Sequence, residues 1–430
     1  MNEDFLAYLW QHQYFDRIAL QTVSGSSLTP LRPGHRNSDA GPDFLEARIE
    51  IDGILWAGTV EIHVRTSDWN LHKHHNDRSY GSVILHVVWE NDLAPDHYPN
   101  NHVPVLSLKD RVSPDMLALY TTMLQNLQDI PCESQFEGVS MLQKYNMIDK
   151  TLIARLQRKS VAISEMLTRN KGDWDETAWQ LIARYFGARI NADAFQKLAE
   201  RVPLRLMLRH RADLLQLEAL LFGTAHLIPG ESTAGYVADL KRQYLFLSGK
   251  YGLRDRLDPI EWKLLRLRPA GFPTVRIAQL AALIHRNGNL FSLLTSFGSF
   301  GEIARALKSV QSPYWHTHYH FGKPAKGLVP PMGAEAVYLI LINAAAPILA
   351  AYGFKTDTPQ YLDKAIGLLE ETPAENNKIT RKWRKLGIRL NTSAASQGAT
   401  EWYQQYCSAR RCLYCSVGNA LLSRNPAKNC

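Results

Sequence analysis

Asp43, Glu61 and His63 are the residues whose types and spacing first suggest chemistry. Gly41-Pro42-Asp43 leads into two short extended stretches, Ala47 to Asp52 and Leu55 to Arg65, joined at Asp52-Gly53. Asp-Gly tolerates positive φ at both positions and is a strong hairpin signal. A hairpin of this length returns its second strand beside Asp43, so the Asp43 and Glu61 carboxylates can meet. His63, two residues past Glu61, projects from the same strand face. Paired carboxylates can hold a hard divalent ion, Mg²⁺ or Mn²⁺. Such an ion lowers the pKa of a bound water and stabilises a phosphoryl transition state.

The next segment adds more donors. With His63, the residues His72, His74 and His75 and the acids Asp68 and Asp77 fall within fifteen positions. His72, His74 and Asp77 are expected to support the carboxylate site as ligands or proton relays. A helical turn would place His74 and Asp77 on one face at i, i+3. The plainer alternative is a polar loop whose imidazoles face water.

A second constellation lies at the far end. Cys407, Cys412 and Cys415 form a Cys-x4-Cys-x2-Cys run, and Cys430 ends the sequence. Short loops of this kind let several sulfurs converge on zinc or an iron–sulfur cluster. The fourth ligand is Cys132 or Cys430; Cys132 is favoured, because a terminal residue is poorly anchored. The role expected of this centre is structural.

Charge is uneven along the chain. Residues 1–137 hold 9 Lys+Arg and 19 Asp+Glu, a net of −10, and the remainder holds 49 − 9 = 40 bases and 41 − 19 = 22 acids, a net of +18. An acidic, metal-using head joined to a basic body suits a polyanionic partner such as DNA or RNA. Arg381, Lys382, Arg384 and Lys385 form the densest basic segment, with Trp383 either stacking on a base or anchoring a core. The alternating His316, His318 and His320 lack a nearby carboxylate or thiol and read as a structural cluster. No Walker loop, GxGxxG or GxSxG motif is present. No apolar run approaches the roughly 18 residues of a membrane span, and the acidic start, Glu3 and Asp4, is unlike a signal peptide. A cytoplasmic protein with no membrane partner is expected.

The elements that must position these residues follow from periodicity. Phe5, Leu6, Leu9, Trp10 and Phe15 recur at helical spacing, residues 21–110 read as largely β, and helical periodicity dominates from Ser113. An α–β–β–β–α–β order suits helices packed on a mixed sheet. The expected fold class is therefore α+β: an N-terminal α/β sandwich with a mixed sheet, then a larger all-α region. The expected domains are 1–135, 136–400 and a cysteine-rich tail over 401–430.

Pro42-Asp43, a strand hairpin, then Glu61-Ile62-His63, with Glu3 on a leading helix, resembles the PD-(D/E)XK nuclease superfamily over the first quarter of the chain. The resemblance implies a restriction-endonuclease-like core and metal-dependent phosphodiester hydrolysis. It departs at His63, where the superfamily usually has the lysine that aligns the attacking water. Some of its members are stapled by a four-cysteine iron–sulfur cluster. Over its full length the chain also resembles an uncharacterised bacterial domain-of-unknown-function family, through Gly41-Pro42-Asp43-Phe44, Val60-Glu61-Ile62-His63, Leu85-His86-Val87-Val88, Arg266-Leu267-Arg268-Pro269, Phe272-Pro273-Thr274 and the cysteine-rich tail. The expected function is a metal-dependent nuclease. The alternative is a non-catalytic nucleic-acid-binding or assembly protein on a degenerate nuclease fold.

Overall fold

The computed structural model describes residues 1–94, 103–230 and 235–424. The chain divides into two compact units, Met1–Met147 together with the segment from Trp402 onward, and Ile148–Glu401. The fold class is α+β, with a mixed N-terminal sheet in the first unit and a large helical second unit.

Helix α1 (Glu3–His12) starts where the Asn2 side chain accepts the Phe5 N–H at 2.9 Å, and Glu3 and Asp4 complement the dipole of its first turn. Gln13, at φ 54°, closes it in the left-handed conformation. Six strands follow: β1 (Leu28–Arg32), β2 (His35–Arg36), β3 (Phe44–Ile51), β4 (Ile54–Arg65), β5 (Val83–Glu90) and β6 (Val105–Ser107). The sheet order is β1-β3-β4-β5-β6, with β2 paired to β3. β1, β3 and β4 run antiparallel, whereas β4, β5 and β6 are mutually parallel. The Asp52-Gly53 turn forms as the sequence predicts, with φ 49° and 79° and Ile51 opposite Ile54.

A parallel neighbour requires a crossover. It occupies residues 66–82 as α2 (Asp68–Leu71) and the 3-10 turns His74–Asn76 and Arg78–Ser82. β6 is an edge strand, and Pro104, directly before it, has no N–H to give to the ladder. One sheet face supplies Phe44, Ala47, Ile49, Val60, Ile62, Leu85 and Val87 to a core shared with α1 and with Met116 and Tyr120 of α3 (Pro114–Gln125). Strand alternation puts Glu61 and His63 on the opposite face. Leu413 and Leu422 join this first-unit core, so the tail is packed into it.

The division between the units falls within α4 (Met141–Arg169). Apolar periodicity from Leu204 to Phe222 suggests one helix ended by Gly223, yet the structure has two, Leu204–Arg209 and Leu214–Thr224, because the Asp213 side chain caps a fresh start on the Gln216 N–H. Gly223 lies inside the second helix, where a Cβ would overlap the Tyr244 ring. Contrary to the expectation that no apolar run approaches a membrane span, Ala334–Thr356 (23 residues, mean hydropathy 1.8) is long and apolar enough for one, yet 72% of its most apolar window is buried within the protein, as in a core helix.

Candidate metal centre

Glu61 and His63 stand side by side on β4 where β5 covers it, and both are buried. Parallel register sets Glu61 beside His86 and His63 beside Val88. The crossover then folds His72 and His74 over this face. His63 Nε2 lies 3.0 Å from His72 Nδ1 and 3.5 Å from Glu61 Oε1, and His74 Nε2 lies 3.3 Å from the same oxygen. The donor nitrogens of His63, His72 and His74 all fall within 4.8 Å of one another. His74 Nε2 is buried without a hydrogen-bond partner among the described residues. Tyr80 stacks on the His74 ring at 3.8 Å, and Trp69 meets both His63 and His74 edge-on. His72 is exposed and gives the cluster its solvent side.

The hairpin does bring Asp43 to Glu61: the Asp43 N–H donates to Glu61 Oε2 at 3.2 Å. The Asp43 carboxylate is otherwise engaged. Oδ2 accepts the Ile62 N–H at 3.0 Å, and Oδ1 lies 3.3 Å from the Arg36 guanidinium. The atoms that gather are therefore three imidazole nitrogens, with Glu61 Oε1 beside those of His63 and His74, rather than two carboxylates. Asp77 stays outside this set, since its carboxylate accepts the N–H and Oγ–H of Ser79 and caps its own 3-10 turn. His75 is exposed.

Electrostatics follow from burial. Glu61 is pushed up to about 8, first by desolvation and then by the Asp43 charge. Asp43 is raised by burial against the opposing pull of Arg36. His63 is held down to about 2 by burial and by His86, and His86 to about 3 by burial. The pocket thus combines a carboxyl group deprived of water with two imidazoles, His63 and His86, that stay neutral. A bound cation would supply the missing positive charge.

His86 was not singled out as a site residue in the sequence. It is 2% exposed, and its Nε2 lies 2.9 Å from His63 Nδ1. The available signal was a histidine inside the otherwise apolar run Val83-Ile84-Leu85-His86-Val87-Val88.

The other expected sites are placed as follows. Cys132, Cys407, Cys412 and Cys415 are buried around one small cavity in the first unit, whereas Cys430 lies outside the described residues. Arg381, Arg384 and Lys385 are exposed on the helix Lys378–Lys385 and Lys382 is partly so. Trp383 is fully buried and donates to the Ala399 carbonyl at 2.8 Å, which makes it a core anchor closed off from solvent. His316 and His318 bond to the Gln311 and Tyr314 carbonyls, consistent with a structural cluster.

Fold and site together define an α+β protein whose sheet carries a buried Glu–His cluster. The chain belongs to the family described as Protein of unknown function (DUF2851), whose model matches residues 3–378. No curated protein and no solved structure matches it. The family match attaches no activity to the cluster, and Cys407, Cys412 and Cys415 fall beyond the matched residues.

Proposed function

We propose that this protein is a divalent-metal-dependent hydrolase acting on phosphodiester bonds in nucleic acid, with the metal held by Glu61, His63, His72 and His74. The observation that carries this reading is the gathering of three imidazole nitrogens within 4.8 Å of one another, with Glu61 Oε1 beside those of His63 and His74 and with His74 Nε2 buried and making no hydrogen bond among the described residues. Separations of 3.0 to 3.5 Å between neighbouring donors suit one ion contacting each at about 2.0–2.2 Å. A set this rich in imidazole favours Mn²⁺ or Zn²⁺ over Mg²⁺.

When bound, the ion would lower the pKa of a water and offset the charge that develops on the phosphoryl oxygens. The chain's own residues do the rest. Glu61 is fixed by the Asp43 N–H through Oε2, which leaves Oε1 for the metal. His63 is fixed through Nδ1 by His86. Arg36, Lys73 and Arg78 are cations exposed around the site that can meet phosphate oxygens. In the reaction, water adds hydroxide to phosphorus, one P–O bond breaks, and the released proton ends on the leaving oxygen. The net charge of +18 beyond residue 137 supports a polyanionic substrate, whose binding should weaken as salt rises.

The test is metal-binding calorimetry on stripped protein, together with cleavage of single- and double-stranded DNA and RNA under Mn²⁺, Zn²⁺ and Mg²⁺. Wild type should take up one ion at this site and cleave at least one substrate. Glu61→Gln and His74→Ala should each weaken binding by 10-fold or more and cut cleavage in parallel. Cleavage at the wild-type rate by both variants would eliminate this site. The non-catalytic alternative is favoured by His63 in place of lysine and by the Arg36–Asp43 pair. It predicts salt-dependent binding of nucleic acid with no turnover under any metal.

A further inference from the structure

Four of the five cysteines are buried together in the first unit, away from the histidine cluster. Cys132, Cys407, Cys412 and Cys415 are each 5–7% exposed, and all line one cavity of about 10 Å³ that Trp402 and Gly418 also border. Cysteine is a common small core residue, so burial alone assigns nothing. What separates this group from ordinary packing is convergence: a single thiol from the segment after α3 meets three from the far end of the chain.

The local backbone is built to deliver them. Residues Tyr403–Cys407 form a π turn, and Arg410, at φ 54°, reverses the chain so that the Arg411 N–H returns to the Tyr406 carbonyl at 2.9 Å. The 3-10 turn Cys412–Tyr414 brings the Cys415 N–H to the Cys412 carbonyl at 3.2 Å. Gly418 lets the following helix, Ser416–Leu422, approach this turn, because a Cβ there would overlap the Cys412 carbonyl oxygen. The Arg410 guanidinium then ties the turn to the other strand of chain, donating to the Asn126 carbonyl at 2.6 Å and the Gln128 carbonyl at 3.1 Å. Asn126 in turn donates to the Pro131 carbonyl at 2.8 Å, immediately before Cys132. Hydrogen bonds thus hold both thiol-bearing segments in place from outside the cavity.

We propose that Cys132, Cys407, Cys412 and Cys415 hold one thiophilic metal centre, a single Zn²⁺ or one iron–sulfur cluster, that fastens the C-terminal segment to the sheet unit. Both occupants use four thiolates, which is the donor set present. Cys132 completes the set among the described residues.

Full-length protein purified without oxygen is assayed for zinc and iron and by visible spectrum, in the wild type and in a Glu61→Gln, His74→Ala background that removes metal from the histidine cluster. Retention in that background of one zinc per chain without colour, or of iron with acid-labile sulfide and broad visible absorption, supports the proposal and identifies the occupant. Neither metal in freshly purified protein overturns it. Cys132→Ser and Cys415→Ser should each lose the metal, and Cys430→Ser should keep it; loss with Cys430→Ser but not with Cys132→Ser refutes the assignment. Because serine variants can misfold, native wild-type thiols are also alkylated with and without chelator. Protection that disappears with the chelator supports the centre, and equal labelling in both contradicts it. The centre can fail while the histidine site still hydrolyses, so the two readings fall separately.

Discussion

His86 contacts no substrate in the proposed reaction, yet its ring decides how His63 presents itself. A metal on His63 Nε2 leaves the proton on Nδ1, which then donates across 2.9 Å to His86 Nε2. This outer contact fixes the tautomer and the ring angle of the ligand. His86→Phe keeps the ring volume but removes the acceptor, and should weaken metal binding about 10- to 100-fold. His86→Gln can still accept from Nδ1 and should restore most of the affinity. Calorimetry on the two variants checks this, and equal losses would show that only ring packing matters. Glu61 and His63 were legible because hairpin chemistry and strand alternation are local rules. His86 was not, since its role depends on the parallel register of β4 and β5, which no short window of sequence encodes. Asp77 was expected as a ligand or proton relay from its spacing to His74, whereas the structure engages its carboxylate with the N–H and hydroxyl of Ser79 as a local cap.

At the scale of elements, the β3–β4 hairpin and the crossover to β5 build the candidate centre, and glycines mark where they touch. Gly58 faces Ala47 on β3, and a Cβ there would stand 2.5 Å from both the Ser82 carbonyl oxygen and Ile84 Cγ2. Ser82 ends the segment that follows His72 and His74, so separating β4 from β5 at this point disturbs the loop that carries those ligands. Gly58→Ala should cost about 1–3 kcal/mol of stability as overpacking and also weaken metal binding. Gly53→Ala, at φ 79° with no described atom within 4 Å of its added Cβ, should cost about 1–2 kcal/mol through backbone strain alone. Its metal affinity should stay unchanged. Denaturant melts paired with calorimetry separate these effects, and an unaltered affinity in Gly58→Ala would refute the link from strand spacing to site. The hairpin was readable from Asp52-Gly53. The break between Arg209 and Leu214 was not, because apolar periodicity runs through it and only the Asp213 cap interrupts the backbone.

Across the whole molecule the division into an acidic head and a basic body was visible in composition, because net charge needs no fold to be counted. What composition could not show is where buried charges sit and how they link global stability to pH. Glu218 is 1% exposed and accepts the Tyr236 hydroxyl at 2.9 Å, while Trp315 Nε1 donates to that same hydroxyl at 2.9 Å. Burial raises its carboxyl from an ordinary 4.5 to about 7. Between those values the folded protein keeps a proton that the unfolded chain has released, so this group's contribution to stability falls as pH rises through the window. Glu218→Gln retains an acceptor for Tyr236 but does not titrate. Its stability relative to wild type should therefore rise from about pH 4.5 and level off above about pH 7. The pH-dependent part is at most about 3.4 kcal/mol, from roughly 2.5 pKa units at 1.36 kcal/mol each. Urea unfolding of both proteins at pH 5 and pH 8 measures it directly, since every other titrating group cancels in the difference. A gap that does not change with pH would mean that Glu218 is already ionised in the folded state, its charge carried by Tyr236 and by neighbours beyond that single hydrogen bond.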